Sequence, residues 1–153
     1  MPATLRLIEP STPSSSTDDY ELLEASSTHA WTVFDMVAPY LARAVRHADG
    51  NYTLRDIQQA VFAGRWQLWL IAKNGESFSA AGVTQVKTLP RKRVLEIIAV
   101  GGKDMKGWLH LEPQLLKIAK SLGCSDLELS GRKGLTRKLR GWRTTHYVMR
   151  KAT

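Results

Sequence analysis

An apolar run, Leu95-Glu96-Ile97-Ile98-Ala99-Val100, passes directly into Gly101-Gly102-Lys103 and then into a stretch of helical spacing that Gly123-Cys124 brings to a stop. A strand that hands the chain through a glycine turn to a helix N-terminus presents backbone N–H groups, and the positive end of the helix dipole, to any nearby anion. The helix is marked by Trp108, Leu111, Leu115, Ile118, Ala119 and Leu122, with Asp104 at the N-cap position. Pro113 imposes on it either a late start or a bend. Beyond it Asp126-Leu127-Glu128-Leu129-Ser130 reads as a strand. Then come Gly131-Arg132-Lys133-Gly134, Gly141-Trp142 and a closing strand-like run, Tyr147-Val148-Met149-Arg150-Lys151.

Upstream, residues 9–19 carry no apolar side chain and are rich in Pro, Ser and Thr. Residues 1–19 are therefore expected to be a flexible N-terminal extension and residues 20–153 a single domain. Residues 20–25 read as a first strand, and Ser26, Ser27 or Thr28 as the cap of a long helix. In that helix Ala30, Val33, Phe34, Val37, Ala38, Leu41, Ala42 and Val45 form one apolar face. Pro39 lies inside the pattern and is expected to kink or split it. Thr53-Leu54-Arg55-Asp56 has the form of a capping box, with Asp in place of Glu, and opens a second helix through Ile57, Ala60 and Val61 to Gly64. Strands follow over residues 66–72, 78–86 and 93–100, joined by Asn74-Gly75 and by Pro90-Arg91. The whole reads as an α+β domain with a mostly antiparallel sheet.

Charge is placed unevenly. The chain has 22 basic and 14 acidic side chains; residues 131–153 hold eight of the basic ones (Arg132, Lys133, Arg137, Lys138, Arg140, Arg143, Arg150 and Lys151) and none of the acidic ones, so the net +8 is C-terminal. Such a concentration attracts phosphates or an acidic protein surface, or else solvates one face. The lone Cys124 suits a small buried residue in a reducing compartment. Apolar runs stop well short of the roughly 20 residues that span a bilayer, and the chain reads as soluble and intracellular. His29, His47, His110 and His146 are scattered, and no metal-ligand spacing is present. Trp66 and Trp69 fall in a strand and Trp108 on a helix face, positions that suit packing, whereas Trp142, close to Arg140 and Arg143, is placed to stack a ring or anchor a partner.

The order of these elements, with the Gly131-Arg132-Lys133-Gly134 and Gly141-Trp142 ending, resembles the GNAT N-acetyltransferase fold, and in particular the GNAT-like proteins encoded by tailed bacteriophages. The resemblance covers residues 20–151 and is strongest over residues 95–151. It implies a mostly antiparallel central sheet flanked by helices, and acetyl-CoA-dependent transfer of an acyl group to an amine. By the same resemblance the cofactor's pyrophosphate falls at Gly101, Gly102 and Lys103, its pantetheine arm along Ile98, Ala99 and Val100, and its outer phosphate near Arg132 and Lys133. The family's usual fingerprint at this turn is Arg or Gln, two residues, Gly, one residue, then Gly or Ala. Gly101-Gly102-Lys103-Asp104-Met105-Lys106-Gly107 departs from it, so the pyrophosphate loop is degenerate. Glu96 is the best-placed carboxylate for a general base, with an outward-facing residue on an alternating strand as its alternative. Family members often use a Tyr after the fifth strand as acid; that region offers Ser130 and Thr136, and Tyr147 on the final strand is the remaining candidate, with packing or hydrogen bonding as its alternative.

A second reading comes from the same resemblance. GNAT-like proteins of short-tailed phages are encoded among structural genes, which implies a non-catalytic virion or assembly protein in the host cytoplasm or the particle. Its basic residues 132–151 would bind a phage structural protein, a second copy or nucleic acid. A dedicated DNA binder is a third reading, without a helix-turn-helix or other base-reading motif to support it.

Overall fold

The computed structural model describes residues 6–7, 19–130 and 139–153. Among them the elements run β1 (Arg6–Leu7), β2 (Tyr20–Ala25), α1 (Ser27–Val45), α2 (Leu54–Phe62), β3 (Gln67–Lys73), β4 (Ser77–Thr88), β5 (Arg93–Gly102), α3 (Met105–Trp108), a 3-10 turn (Leu109–Leu111), α4 (Glu112–Ser121) and β6 (Asp126–Leu129). The strands form one sheet in sequence order. All neighbours are antiparallel except β5 and β6, which the α3–α4 crossover makes parallel. Arg6–Leu7, inside the expected extension, pairs with Leu23 and Glu24 as an edge strand, and the rest of residues 1–18 lies outside the described residues.

Local chemistry starts both helices of the first layer. The Ser26 hydroxyl accepts from the His29 amide at 3.2 Å and caps α1. Thr53 and Asp56 form a reciprocal capping box on α2, with the Thr53 amide donating to Asp56 Oδ2 at 2.8 Å and the Asp56 amide donating to Thr53 Oγ1 at 3.2 Å. Ala30, Val33, Phe34, Val37 and Leu41 of α1 and Ile57 and Val61 of α2 pack on Leu68, Leu70, Ala81, Val83 and Ala99 of the sheet. Each fully buried aliphatic here contributes about 1.5–3 kcal/mol of transfer free energy. Pro39 does not split α1, which runs unbroken over 19 residues. Both Pro39 and Asp35 are exposed, so the carbonyl that loses its N–H partner faces water.

The opposite face of the sheet, with Tyr20, Leu22, Trp69, Ile71 and Ala80, packs on Leu111, Met105 and Ile118, and Leu95 packs on Ala119 and Cys124. Here the expected single helix is broken. Met105–Trp108 makes one turn, and the longer helix restarts at Glu112 with Pro113 in its first turn, where a missing N–H costs nothing. The late start is therefore the correct reading of Pro113. Asp104 occupies the N-cap position but adopts φ 55°, ψ 42° and makes no cap hydrogen bond. Its carboxylate instead meets Lys73 Nζ at 3.3 Å. The closing strand expected at residues 147–151 is not formed, and residues 143–153 have no regular secondary structure.

Two side-chain environments yield stability predictions. A Cβ at Gly101 would overlap the Tyr40 carbonyl of α1, so the helix layer sits directly against this backbone. Gly101→Ala is expected to lower stability by about 1–3 kcal/mol in urea unfolding. Gln114 is 2% exposed, and among the described residues neither amide atom of its side chain has a hydrogen-bond partner. Gln114→Met should raise stability by about 1–3 kcal/mol in the same measurement, because it removes a desolvated amide at nearly constant volume.

Candidate functional site

The site grows out of an irregularity in β5. Its register with β4 shifts between Val83, opposite Ala99, and Thr84, opposite Ile97, which leaves Ile98 as an extra residue without a partner in β4. The Ile98 carbonyl accepts a hydrogen bond from the Tyr52 hydroxyl at 2.6 Å, so the loop between α1 and α2 is tied to the bulge. Burial of Tyr52, and then the negative charge of Glu96, raise that phenol above its ordinary value. On its other side β5 pairs with β6 only from Val94 to Ile97, where Leu129 is the last partner. Among the described residues, the edge of β5 beyond Ile97 has no strand beside it there. Ile98, Ala99 and Val100 thus lie where a linear arm carrying amides finds main-chain partners, and these residues fit the pantetheine portion of coenzyme A.

The phosphate end differs from expectation. Gly101 and Gly102 are not a turn but the last residues of β5, opposite Ala81 and Ala80. The Lys103 amide donates to the Ser79 carbonyl at 2.8 Å and is committed to the sheet. Close packing accounts for both glycines, Gly101 against Tyr40 and Gly102 against Ala80. A four-residue α3 sums too few peptide dipoles to attract an anion as a long helix does. The exposed Lys103 and Lys106 side chains supply positive charge at this end. Arg132 and Lys133 lie outside the described residues.

Glu96 is neither outward nor isolated. It stands opposite Gln85 on β4 and Glu128 on β6, and its side chain is 19% exposed. Gln85 Nε2 donates to Glu96 Oε1 at 2.7 Å, and Lys87 Nζ donates to Glu96 Oε2 at 3.2 Å and also to Glu128 Oε1. Trp66 Nε1 donates to Gln85 Oε1 at 3.0 Å and fixes the amide's orientation. Burial alone would raise the Glu96 carboxyl, but the hydrogen bonds from Gln85 and Lys87 and the Lys87 charge outweigh it and hold Glu96 below its ordinary value. The hydrogen bond to Glu128 raises Lys87 against an opposing burial penalty, with Glu96 adding to the rise. Glu96 is ionised at neutral pH.

Tyr147 is not brought to this site by any strand. It is 84% exposed in the irregular C-terminal segment, beside Val148 at 69% and Met149 at 91%. Trp142 donates from Nε1 to Glu112 Oε1 at 2.7 Å, an anchor within its own chain. Of the basic C-terminal residues, Arg140, Arg143, Arg150 and Lys151 are described and exposed, and Arg150 lies 3.8 Å from Asp49. Among the described residues no helix is long and apolar enough to cross a membrane.

Sequence reading missed Tyr52, Gln85, Lys87 and Glu128. Gln85 and Lys87, two residues apart on a strand, carry the signal of a shared polar face; the register that sets them beside Glu96 does not show in one-dimensional order. Because the folded Glu96 sits below its unfolded value, its stabilisation is complete above the ordinary carboxylate range and is lost as pH falls through the lowered folded value. Lys87→Met should shift the Glu96 titration upward in carboxyl-detected NMR and move acid unfolding to higher pH.

No protein-family model and no curated protein matches this sequence. Solved structures do match its shape. A probable acetyltransferase aligns with TM-score 0.66 and 12% identity over 86% of this chain and 98% of its own. The aminoglycoside N-acetyltransferase AAC(6')-Iy, solved in complex with CoA, aligns with TM-score 0.66 and 8% identity over 92% and 99%. An aminoglycoside acetyltransferase from an uncultured soil metagenomic sample, solved with sisomicin, aligns with TM-score 0.63 and 9% identity over 88% and 95%. The bulged β5, the parallel β5–β6 pair and the helices on both faces of the sheet give this chain the GNAT-like α+β fold.

Proposed function

We propose that this chain is an acyl-CoA-dependent N-acyltransferase of phage origin with a weakened pyrophosphate site. The observation that carries the reading is the bulge at Ile98 on an edge of β5 that faces no described strand, two residues along the same strand from an ionised carboxylate at Glu96. Coenzyme A, when bound, supplies the acyl group as a thioester. Ile98, Ala99 and Val100 hold the arm through main-chain groups, while Lys103 and Lys106, joined by Arg132 and Lys133, meet the phosphates. Glu96 takes the proton that the acceptor amine must lose, directly or through one water. Lys87 keeps this carboxylate ionised and oriented, and Tyr52 fixes the carbonyl at the bulge.

A second reading, a non-catalytic virion or assembly protein, draws on the exposed Tyr147-Val148-Met149 run and on the one-turn α3. Residues 132–151 would then dock on a phage structural protein, a second copy or packaged DNA. Isothermal calorimetry with acetyl-CoA separates the two. Binding at micromolar levels or tighter is expected, and Glu96→Gln should leave that affinity intact while lowering turnover of an amine acceptor by about 10²–10⁴-fold. Silence up to millimolar acetyl-CoA, together with retention of the protein in purified particles, would leave only the assembly role.

A further inference from the structure

Between the β2–β6 face of the sheet and the α3–α4 layer lies a cavity of about 120 Å³. Ile97 and Val100, which flank the bulge at Ile98, form its wall on the β5 side, and Leu127 and Leu129 form the wall on the β6 side. Beyond Ile97 and Leu129 the two strands are no longer paired. Leu139 and Trp142 of the C-terminal segment also line the cavity, and Trp142 is held by its hydrogen bond to Glu112. The polar side chains in the lining are engaged elsewhere. Thr84 Oγ1 accepts from Trp69 Nε1 at 2.8 Å and donates to Gln67 Oε1 at 2.9 Å, and Glu112 receives Trp142. A ligand here meets hydrocarbon.

Gly82 adds to the space on the β4 side. Its φ lies outside the left-handed region, and a Cβ built on it would come no closer than 3.4 Å to the Ala99 carbonyl and 3.6 Å to Val100 Cγ2. Neither backbone conformation nor crowding requires glycine in the middle of β4. What the missing side chain provides is volume beside Val100.

We propose that this cavity holds the acyl chain of the donor thioester, and that the chain it accepts is a short aliphatic one of about four to six carbons rather than acetyl. The size follows from comparison with an aliphatic cavity of about 150 Å³, which takes up benzene, a six-carbon ligand. The position follows from the arm: a cofactor lying along Ile98–Val100 delivers its acyl end between Ile97 and Leu129. An acetyl group would leave most of the cavity empty, whereas each further methylene placed in it tightens binding by about four-fold. The proposal rests on the coenzyme A reading of the same site.

Calorimetry on the full chain with free CoA and with acetyl-, butanoyl-, hexanoyl- and dodecanoyl-CoA tests it. Affinity should rise about four-fold per methylene from acetyl to about six carbons and then level off or fall. Gly82→Val, which fills the space, should erase this dependence and keep the affinity for free CoA; Leu129→Phe, at the opposite wall, should do the same if the first variant fails to fold. Binding of CoA with equal affinity for acetyl and hexanoyl forms would overturn the acyl-chain assignment while sparing the cofactor site. Failure of every thioester and of free CoA to bind would overturn both.

Discussion

Everything in this structure leans on β5. One backbone must pair with β4 along its length, pair with β6 over four residues, and lie against α1 closely enough that Gly101 leaves no room for a Cβ beneath the Tyr40 carbonyl. A regular strand meets such demands by running straight. This one carries an extra residue at Ile98, which re-aims the backbone just where β6 stops. The bulge and the stretch of β5 beyond its pairing with β6 therefore fall at one place, beside the apolar cavity. Tyr52 stabilises the bulge by hydrogen bonding to the carbonyl of the extra residue.

Electrostatics on the α1–α2 side follow from the same strand pairing. Gln85, Glu96 and Glu128 fall in one row across β4, β5 and β6, and Lys87, two residues along, reaches both carboxylates. Two like charges side by side would repel and each would resist ionisation. An ammonium between them reverses the balance and keeps Glu96 charged although it is mostly buried. The same cation makes Glu96 a weaker base than a free carboxylate, so in the proposed reaction proton removal would rely on position more than on basicity.

The anion end shows how one residue changes a site. Pro113 places the start of the long helix at Glu112, several residues after the chain leaves β5, and only a single turn fills the interval. Aligned peptide dipoles act over the first turn of a long helix, and here that turn begins ten residues after the last residue of β5. Affinity for a phosphate would then fall to lysine side chains, which hold charge with less orientation than backbone amides do.

Local rules were legible in the amino-acid order because they are satisfied by near neighbours. The Ser26 cap, the Thr53–Asp56 capping box, the Asn74-Gly75 hairpin and the apolar stripe of α1 are contacts within a few residues, and all of them form. The α+β architecture follows from these. Long-range register carries no such mark, and it decided the rest: that Ile98 bulges, that Lys87 reaches Glu96, that Gly101 and Gly102 continue a strand rather than turn, and that Tyr147 stays in solvent. By itself the chain's order determined α1, α2 and strands β2 to β4, where capping and apolar spacing act locally, but not the broken helix after β5, the edge strand at Arg6–Leu7 or the irregular C-terminal segment. Which side chains meet was settled only by tertiary packing, because a shift of one residue in a strand moves every partner to a different neighbour.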